Sequence, residues 1–226
     1  MKNNFSNIIR DFVFGMEDGL VSNLGLVLGV YVGGGGHYAI ILAGMASMIA
    51  GAFSMSAGSY LSSKSQREVY EYEISEAKEK LKKNPKKYLK EMGGLLKKEG
   101  FNFGEVKDLL RHFEKHNKST FLINYLQKRV GISKERLEYP LKNALAMFFS
   151  FIAGSLFPIV PFILLSENIA AIVAIVLTII VLFAVGVTKT IYTKRNWFKS
   201  GVEIVVVGMV AGVIGYLVGR FFSILI

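Results

Sequence analysis

The chain has 226 residues, 52% of them hydrophobic, with a formal net charge of +10 and no cysteine. A mean hydropathy of +0.41 is too apolar for an ordinary soluble domain, while 19% charged residues is too many for a bare membrane bundle. The lack of cysteine excludes disulfides and thiolate metal sites.

The two characters are segregated. Residues 64–139 carry 19 of the 27 Lys and Arg residues and 12 of the 17 Asp and Glu residues. The expected fold is an all-α integral membrane protein of five transmembrane helices, with a cytoplasmic helical insert between helices 2 and 3. Residues 1–63 hold the first two spans, 64–139 the insert and 140–226 the last three spans.

The first apolar segment, Phe12–Val32, contains Glu17 and Asp18. From Gly19 to Val32 there are only about 14 residues, and a span needs about 20. The segment therefore has to begin near Phe12, which sets Asp18 roughly 9 Å inside the apolar layer. A carboxylate there costs about 2.5–3.5 kcal/mol on insertion scales, so such residues face a bundle interior, a polar cavity or an ion path. Glu17 points about 100° away from Asp18. This run lacks a small-residue cleavage site and reads as a span, not as a removable leader.

The second segment, Tyr38–Leu61, is rich in Gly, Ala, Ser and Met, residues that permit close helix contact. Met55 lies about six residues from its charged end, so Asp18 and Met55 are expected at similar depth, near 9 Å. A carboxylate with a thioether suits ferrous iron or manganese better than calcium, which prefers all-oxygen shells. Ser22, Asn23, Ser54 and Ser56 are candidates to add oxygen ligands or hold water. Packing for Met55, and a structural hydrogen bond for Asp18 to helix N-termini or to Lys142, are the alternatives.

The insert reads as four helices: Ser65–Lys83, Pro85–Lys98, Phe103–His116 and Thr120–Val130. Leu89, Leu95, Leu96, Val106, Leu109, Leu110, Phe113, Leu122, Ile123 and Leu126 are its candidate core. Glu68, Glu71, Glu76 and Glu79 fall within about 140° of one another on the first of these helices. They are candidate ligands for a hard or borderline divalent cation. A solvated acidic face balanced by Lys78, Lys80, Lys82 and Lys83 is the plainer alternative. Asp108, His112 and His116 share a face of the third helix and form a second candidate metal set.

The third segment, Leu141–Leu165, contains Phe157-Pro158-Ile159-Val160-Pro161, which predicts a kink or break near its outer end. The fourth, Ile169–Thr188, is apolar all round and is expected to face lipid. The fifth, Val202–Phe222, has Gly208, Gly212, Gly215 and Gly219 spaced for close packing. The connections Gly33–His37 and Ser166–Asn168 have no Lys or Arg, whereas the insert and the connection with Lys189, Lys194, Arg195 and Lys199 are basic. The positive-inside rule then puts the N-terminus and insert in the cytoplasm and the C-terminus outside. The excess of positive charge is explained by topology and anionic lipid, and no nucleic-acid-binding pattern is present. Nor is there a nucleophile–base pair, phosphate loop or cofactor motif, so no enzymatic activity and no permanent cofactor are expected.

These residues resemble the vacuolar iron transporter family, which includes the nodulin-21-like proteins, in a prokaryotic-type form. The matching pieces are Asp18-Gly19-Leu20-Val21-Ser22-Asn23-Leu24-Gly25-Leu26-Val27-Leu28-Gly29, and Ala50-Gly51-Ala52-Phe53-Ser54-Met55 through Gly58-Ser59-Tyr60. Ser65-Gln66-Arg67-Glu68 and the run from Asn143-Ala144-Leu145 to Pro161 complete the match. The resemblance implies a homodimer that moves ferrous iron, and often manganese, out of the cytosol in exchange for protons. Its path lies at the dimer interface and is lined by Asp18 and Met55, with metal gathered first by insert glutamates, here Glu68, Glu71, Glu76 and Glu79. Glu17, Ser22, Asn23 and Ser47 complete the expected pathway, and Zn2+ is a further candidate cargo. A prokaryotic member would sit in the cell membrane.

The chain departs from the family pattern at three places. Ser47 stands where plant members have a glutamate. Ser59 stands where many bacterial members have Gly-Glu-Tyr. Tyr125, Leu126 and Arg129 stand around positions where plant inserts carry methionines and a glutamate. A non-transporting membrane protein whose insert buffers or senses metal is the second functional expectation.

Overall fold

The computed structural model describes residues 2–116, Tyr125 and 139–225, which form seven helices and no strand. They are α1 (Lys2–Val32), α2 (His37–Lys83), α3 (Pro85–Lys98), α4 (Phe103–His116), α5 (Pro140–Leu164), α6 (Glu167–Thr193) and α7 (Trp197–Leu225). α1, α2, α5, α6 and α7 each contain a stretch long and apolar enough to cross a membrane. The protein is therefore an all-α membrane protein with five spanning helices. Its chain divides into two compact units, Met1–Asn4 with Ser62–Tyr139, and Phe5–Leu61 with Pro140–Ile226.

In the larger unit, α1 packs on α5 almost backbone to backbone. A side chain at Gly19 would run into the Phe151 carbonyl, and one at Gly154 into the Met16 carbonyl. α6 buries Ala170, Ala171, Ala174, Leu182 and Val185. The three alanines join Leu24, Val27, Leu28, Ile159 and Phe162 in one apolar cluster. Ile169, Ile172, Val176 and Ile180 make the exposed apolar face expected of this helix, while its small residues make a packed stripe on the other side that composition alone concealed. The glycines of α7 do allow close approach. Gly215 lies against Gly25 and Gly219 against Gly29 of α1, while Gly208 abuts Leu182 and Val21.

Two expectations change. The break offered as one outcome for the third span is absent: α5 stays helical through Pro158 and Pro161 to Leu164. Each proline removes an N–H donor, but both lie in the last two turns and both are buried, so packing beside Ile159 and Phe162 compensates. Span two and the first insert helix are one element, the 47-residue α2, about 70 Å long at the usual rise. Nothing between Gly58 and Asn84 stops a helix. It ends where Asn84 leaves helical geometry (φ −143°, ψ 66°) ahead of Pro85 at the start of α3, as the residue before a proline tends to.

In the smaller unit, Tyr88, Met92, Leu96, Val106 and Tyr125 form the core, with Leu89, Leu95, Leu109 and Leu110 around them. The candidate fourth insert helix, Thr120–Val130, lies outside the described residues except for Tyr125, as do Leu122, Ile123, Leu126 and the side chain of Phe113. Tyr125 stacks edge-on to Tyr88 at 5.4 Å and donates to Glu91 Oε2 at 2.6 Å. Tyr125→Phe keeps the ring and loses that bond. It is expected to lower stability by about 1 kcal/mol, read as a lower midpoint in thermal unfolding of the full chain.

Candidate functional site

Asp11 was not singled out from the sequence, yet it is the best-buried carboxylate here, at 4% exposure. Its Oδ1 accepts from Arg10 at 3.0 Å and its Oδ2 from Ser59 Oγ of α2 at 3.0 Å. A buried carboxylate needs such partners. The signal in the sequence was spacing: Asp11 precedes Asp18 by seven residues, which on a helix is two turns and the same face.

The Ser59–Asp11 bond sets α1 beside α2 in antiparallel register. A side chain at Gly44 would meet Val27, which agrees with that register within one residue. From the bond, Asp18 is seven residues along α1 and Met55 four residues along α2. Counted along ideal parallel axes, that leaves their backbones within about 4.5 Å of one another in height. Met55 is half-buried and shares a face with Met48 and Ala52, which are buried.

Asp18 is half-buried, and its carboxylate takes no hydrogen bond or ion pair from the described residues; Ser22 Oγ, exposed one turn on, donates to the Asp18 backbone carbonyl at 2.5 Å. The alternative of a structural hydrogen bond, to helix N-termini or to Lys142, is thus not found among the described residues. Glu17, on the adjacent face, lies within electrostatic range of Lys189 in α6, Glu203 in α7 and Asp18. Ser47 is half-buried in α2. Asn23 points elsewhere: fully buried, it donates to Ser155 Oγ of α5 at 2.8 Å. Beside Ser22, Gly25, Gly29 and Gly33 line a mostly apolar groove of about 600 Å³ with Gly215 and Gly219 of α7.

In the smaller unit, Glu68, Glu71 and Glu76 pair along α2 with Lys64 (3.8 Å), Arg67 (2.8 Å) and Lys80 (2.5 Å). Glu79 is exposed on the same helix. Pairs of this kind contribute about 0.3–0.5 kcal/mol each, too little to hold these carboxylates from a divalent ion. Asp108 and His112 are exposed on α4, and the His116 side chain lies outside the described residues. Among the described residues no three His, Asp or Glu side chains converge within one chain in a metal-holding group. Tyr125, at a position where relatives were expected to carry ligands, is spent on the core and on Glu91.

Comparison with known proteins covers nearly all of this architecture. The model of the VIT family matches residues 9–220. Vacuolar iron transporter 1 of Eucalyptus grandis is 27% identical, over 90% of this chain and 82% of that protein. Vacuolar iron transporter 1 of Arabidopsis thaliana is 26% identical, over 94% and 85%. Protein CCC1 of Saccharomyces cerevisiae is 30% identical, over 90% and 66%. With a match that spans all five apolar helices and the insert between them, the chain belongs to the VIT family.

Proposed function

We propose that two copies of this chain form a transporter that moves ferrous iron, and manganese as a second cargo, out of the cytosol against an inward flow of protons. The observation that carries this reading is Asp18: a half-buried carboxylate with no hydrogen bond or ion pair among the described residues, inside a segment of membrane-spanning length. Such a group is too costly to leave against lipid and is suited to hold a hard or borderline divalent ion, with the Met55 thioether adding a softer donor.

The dimer reading draws support from α2. It is among the least buried of the five spans, and its exposed face carries the small residues Ala46, Ala50, Ser54, Ala57 and Gly58. Small residues at such a face permit close helix association. A two-fold pairing there would cover Asp18 and double the donor set. Asp11, Glu17 and Asp18 are the α1 carboxylates available for proton exchange in a chain with serine at positions 47 and 59. The lysine-rich insert and the N-terminus would lie in the cytosol and the C-terminus outside, in the cell membrane of a prokaryote. The insert glutamates would raise the local ion concentration at the mouth of the path.

Proteoliposome flux of Fe2+, Mn2+ and Zn2+ with and without a pH gradient tests the proposal. Fe2+ uptake that is accelerated by the gradient and dissipates it is expected. Flux indifferent to the gradient removes the antiport. Metal bound with no flux favours the buffering alternative. Substituting Glu68, Glu71, Glu76 and Glu79 together by glutamine is expected to raise the half-saturating Fe2+ concentration several-fold and leave the maximal rate unchanged.

A further inference from the structure

Two buried polar atoms in the larger unit have no partner among the described residues: Asn23 Oδ1 in α1 and Thr178 Oγ1 in α6. Both residues are at 0% exposure, as is Ser155 of α5. The three lie at one height. Leu20 and Leu182 share one apolar cluster, and Leu24 and Ala174 share another. Thr178 sits four residues from both Ala174 and Leu182, on the same face of α6 and level with residues 20–24 of α1. Asn23 reaches Ser155 directly, at 2.8 Å.

Thr178 is unusual for its helix. Thr188 and Thr190 of α6 donate to the carbonyls of Ala184 and Val187 in the preceding turn, the common outlet for a helical threonine. Thr178 makes no such bond. Asn23 uses its amide N–H groups on Ser155 and the Gly19 carbonyl and keeps its own oxygen unused. Ser155 donates to Phe151 and accepts from Asn23.

We infer that Asn23, Thr178 and Ser155 hold one buried water between α1, α5 and α6. A buried water takes two to four polar partners, and this cluster offers an acceptor oxygen, a hydroxyl donor and a second hydroxyl. The ligand is neutral because the cluster is neutral. Asp18, five residues before Asn23, faces about 140° away around α1. The water closes a polar contact among three helices that are packed around it mainly through apolar side chains. It thereby fixes α1, and Asp18 with it, to α5 and α6. The site is independent of whether Asp18 carries an ion.

The test is water-to-protein magnetisation transfer in solid-state NMR of the labelled full chain in liposomes, read at the Asn23 side-chain amide. Transfer is expected in the wild type and in Thr178→Ser, and loss of at least half of it in Thr178→Val. No transfer in the wild type, or undiminished transfer in Thr178→Val, overturns the inference. So does an Asn23 carbonyl signal that moves when sodium replaces choline, since that would assign a cation. Thermal unfolding is the second reading. Asn23→Leu and Thr178→Val are each expected to lower Tm by about 2–4 °C, and the double variant no more than the worse single one. Additive losses contradict a shared ligand.

Discussion

Asp18→Asn is expected to reduce Fe2+ flux by at least about 100-fold while leaving the amount of folded protein unchanged. Asparagine keeps the size of the side chain and removes its charge. At an effective dielectric constant near 20, one unit charge against another at 4 Å is worth about 4 kcal/mol, and about 2.8 kcal/mol suffices for a 100-fold loss of binding. No described neighbour relies on the Asp18 carboxylate, so its neutralisation breaks no hydrogen bond or ion pair. Asp18→Glu retains the charge one methylene further out and is expected to keep a reduced flux. If Asp18 were a structural residue, the order would reverse, with a lower unfolding temperature and unchanged flux per folded molecule. Size-exclusion elution and proteoliposome uptake, measured on the same preparations, separate the two.

Gly154→Ala is expected to be a strongly damaging single-methyl change in the larger unit. The new Cβ would strike the Met16 carbonyl and lie 3.2 Å from the Leu20 nitrogen. Both are backbone atoms and cannot rotate away, so α1 must shift as a whole. Overpacking of this kind costs about 1–3 kcal/mol, and a lowered Tm of about 2–12 °C follows for a chain of this size. Because the displaced turn of α1 carries Asp18, flux per folded molecule is expected to fall as well. Gly94→Ala, on an exposed turn of α3, is the control: nothing lies within 4 Å of its Cβ position. Replacing a helical glycine there is expected to stabilise by up to about 1 kcal/mol.

The sequence exposed the spans well because membrane length and apolar continuity are one-dimensional properties. It also exposed the α7 glycines, whose spacing is a direct record of close packing. Other features depended on what the third dimension supplies. Asp11 looked like an ordinary charge beside Arg10, and only the Ser59 hydroxyl across the helix pair makes it a buried carboxylate with a role. Pro158 and Pro161 looked like breakers, and buried packing at a helix end overrode them. The alanines of α6 were lost among Ile and Val, although they form the contact with α1 and α5.

The pathway was legible as residue types but less so as geometry. Asp18 emerged from the cost of an intramembrane acid, and the structure leaves it half-buried on α1. The similar depth expected for Met55 was counted from segment ends, which fix height only to within a turn. The Asp11–Ser59 bond gives the local register of α1 against α2 directly. Asn23 fell on the same run of sequence as Asp18 but on another face, where its partner is Ser155. The insert glutamates kept their common face on α2, though three of them are matched with basic residues of their own helix.

Anaerobic equilibrium binding of Fe2+ to the full-length protein is the decisive measurement, made with Glu68, Glu71, Glu76 and Glu79 already replaced by glutamine so that only the membrane site is read. Saturable binding that disappears with Asp18→Asn is the expected result. Binding of equal strength and stoichiometry with and without the Asp18 carboxylate would contradict it.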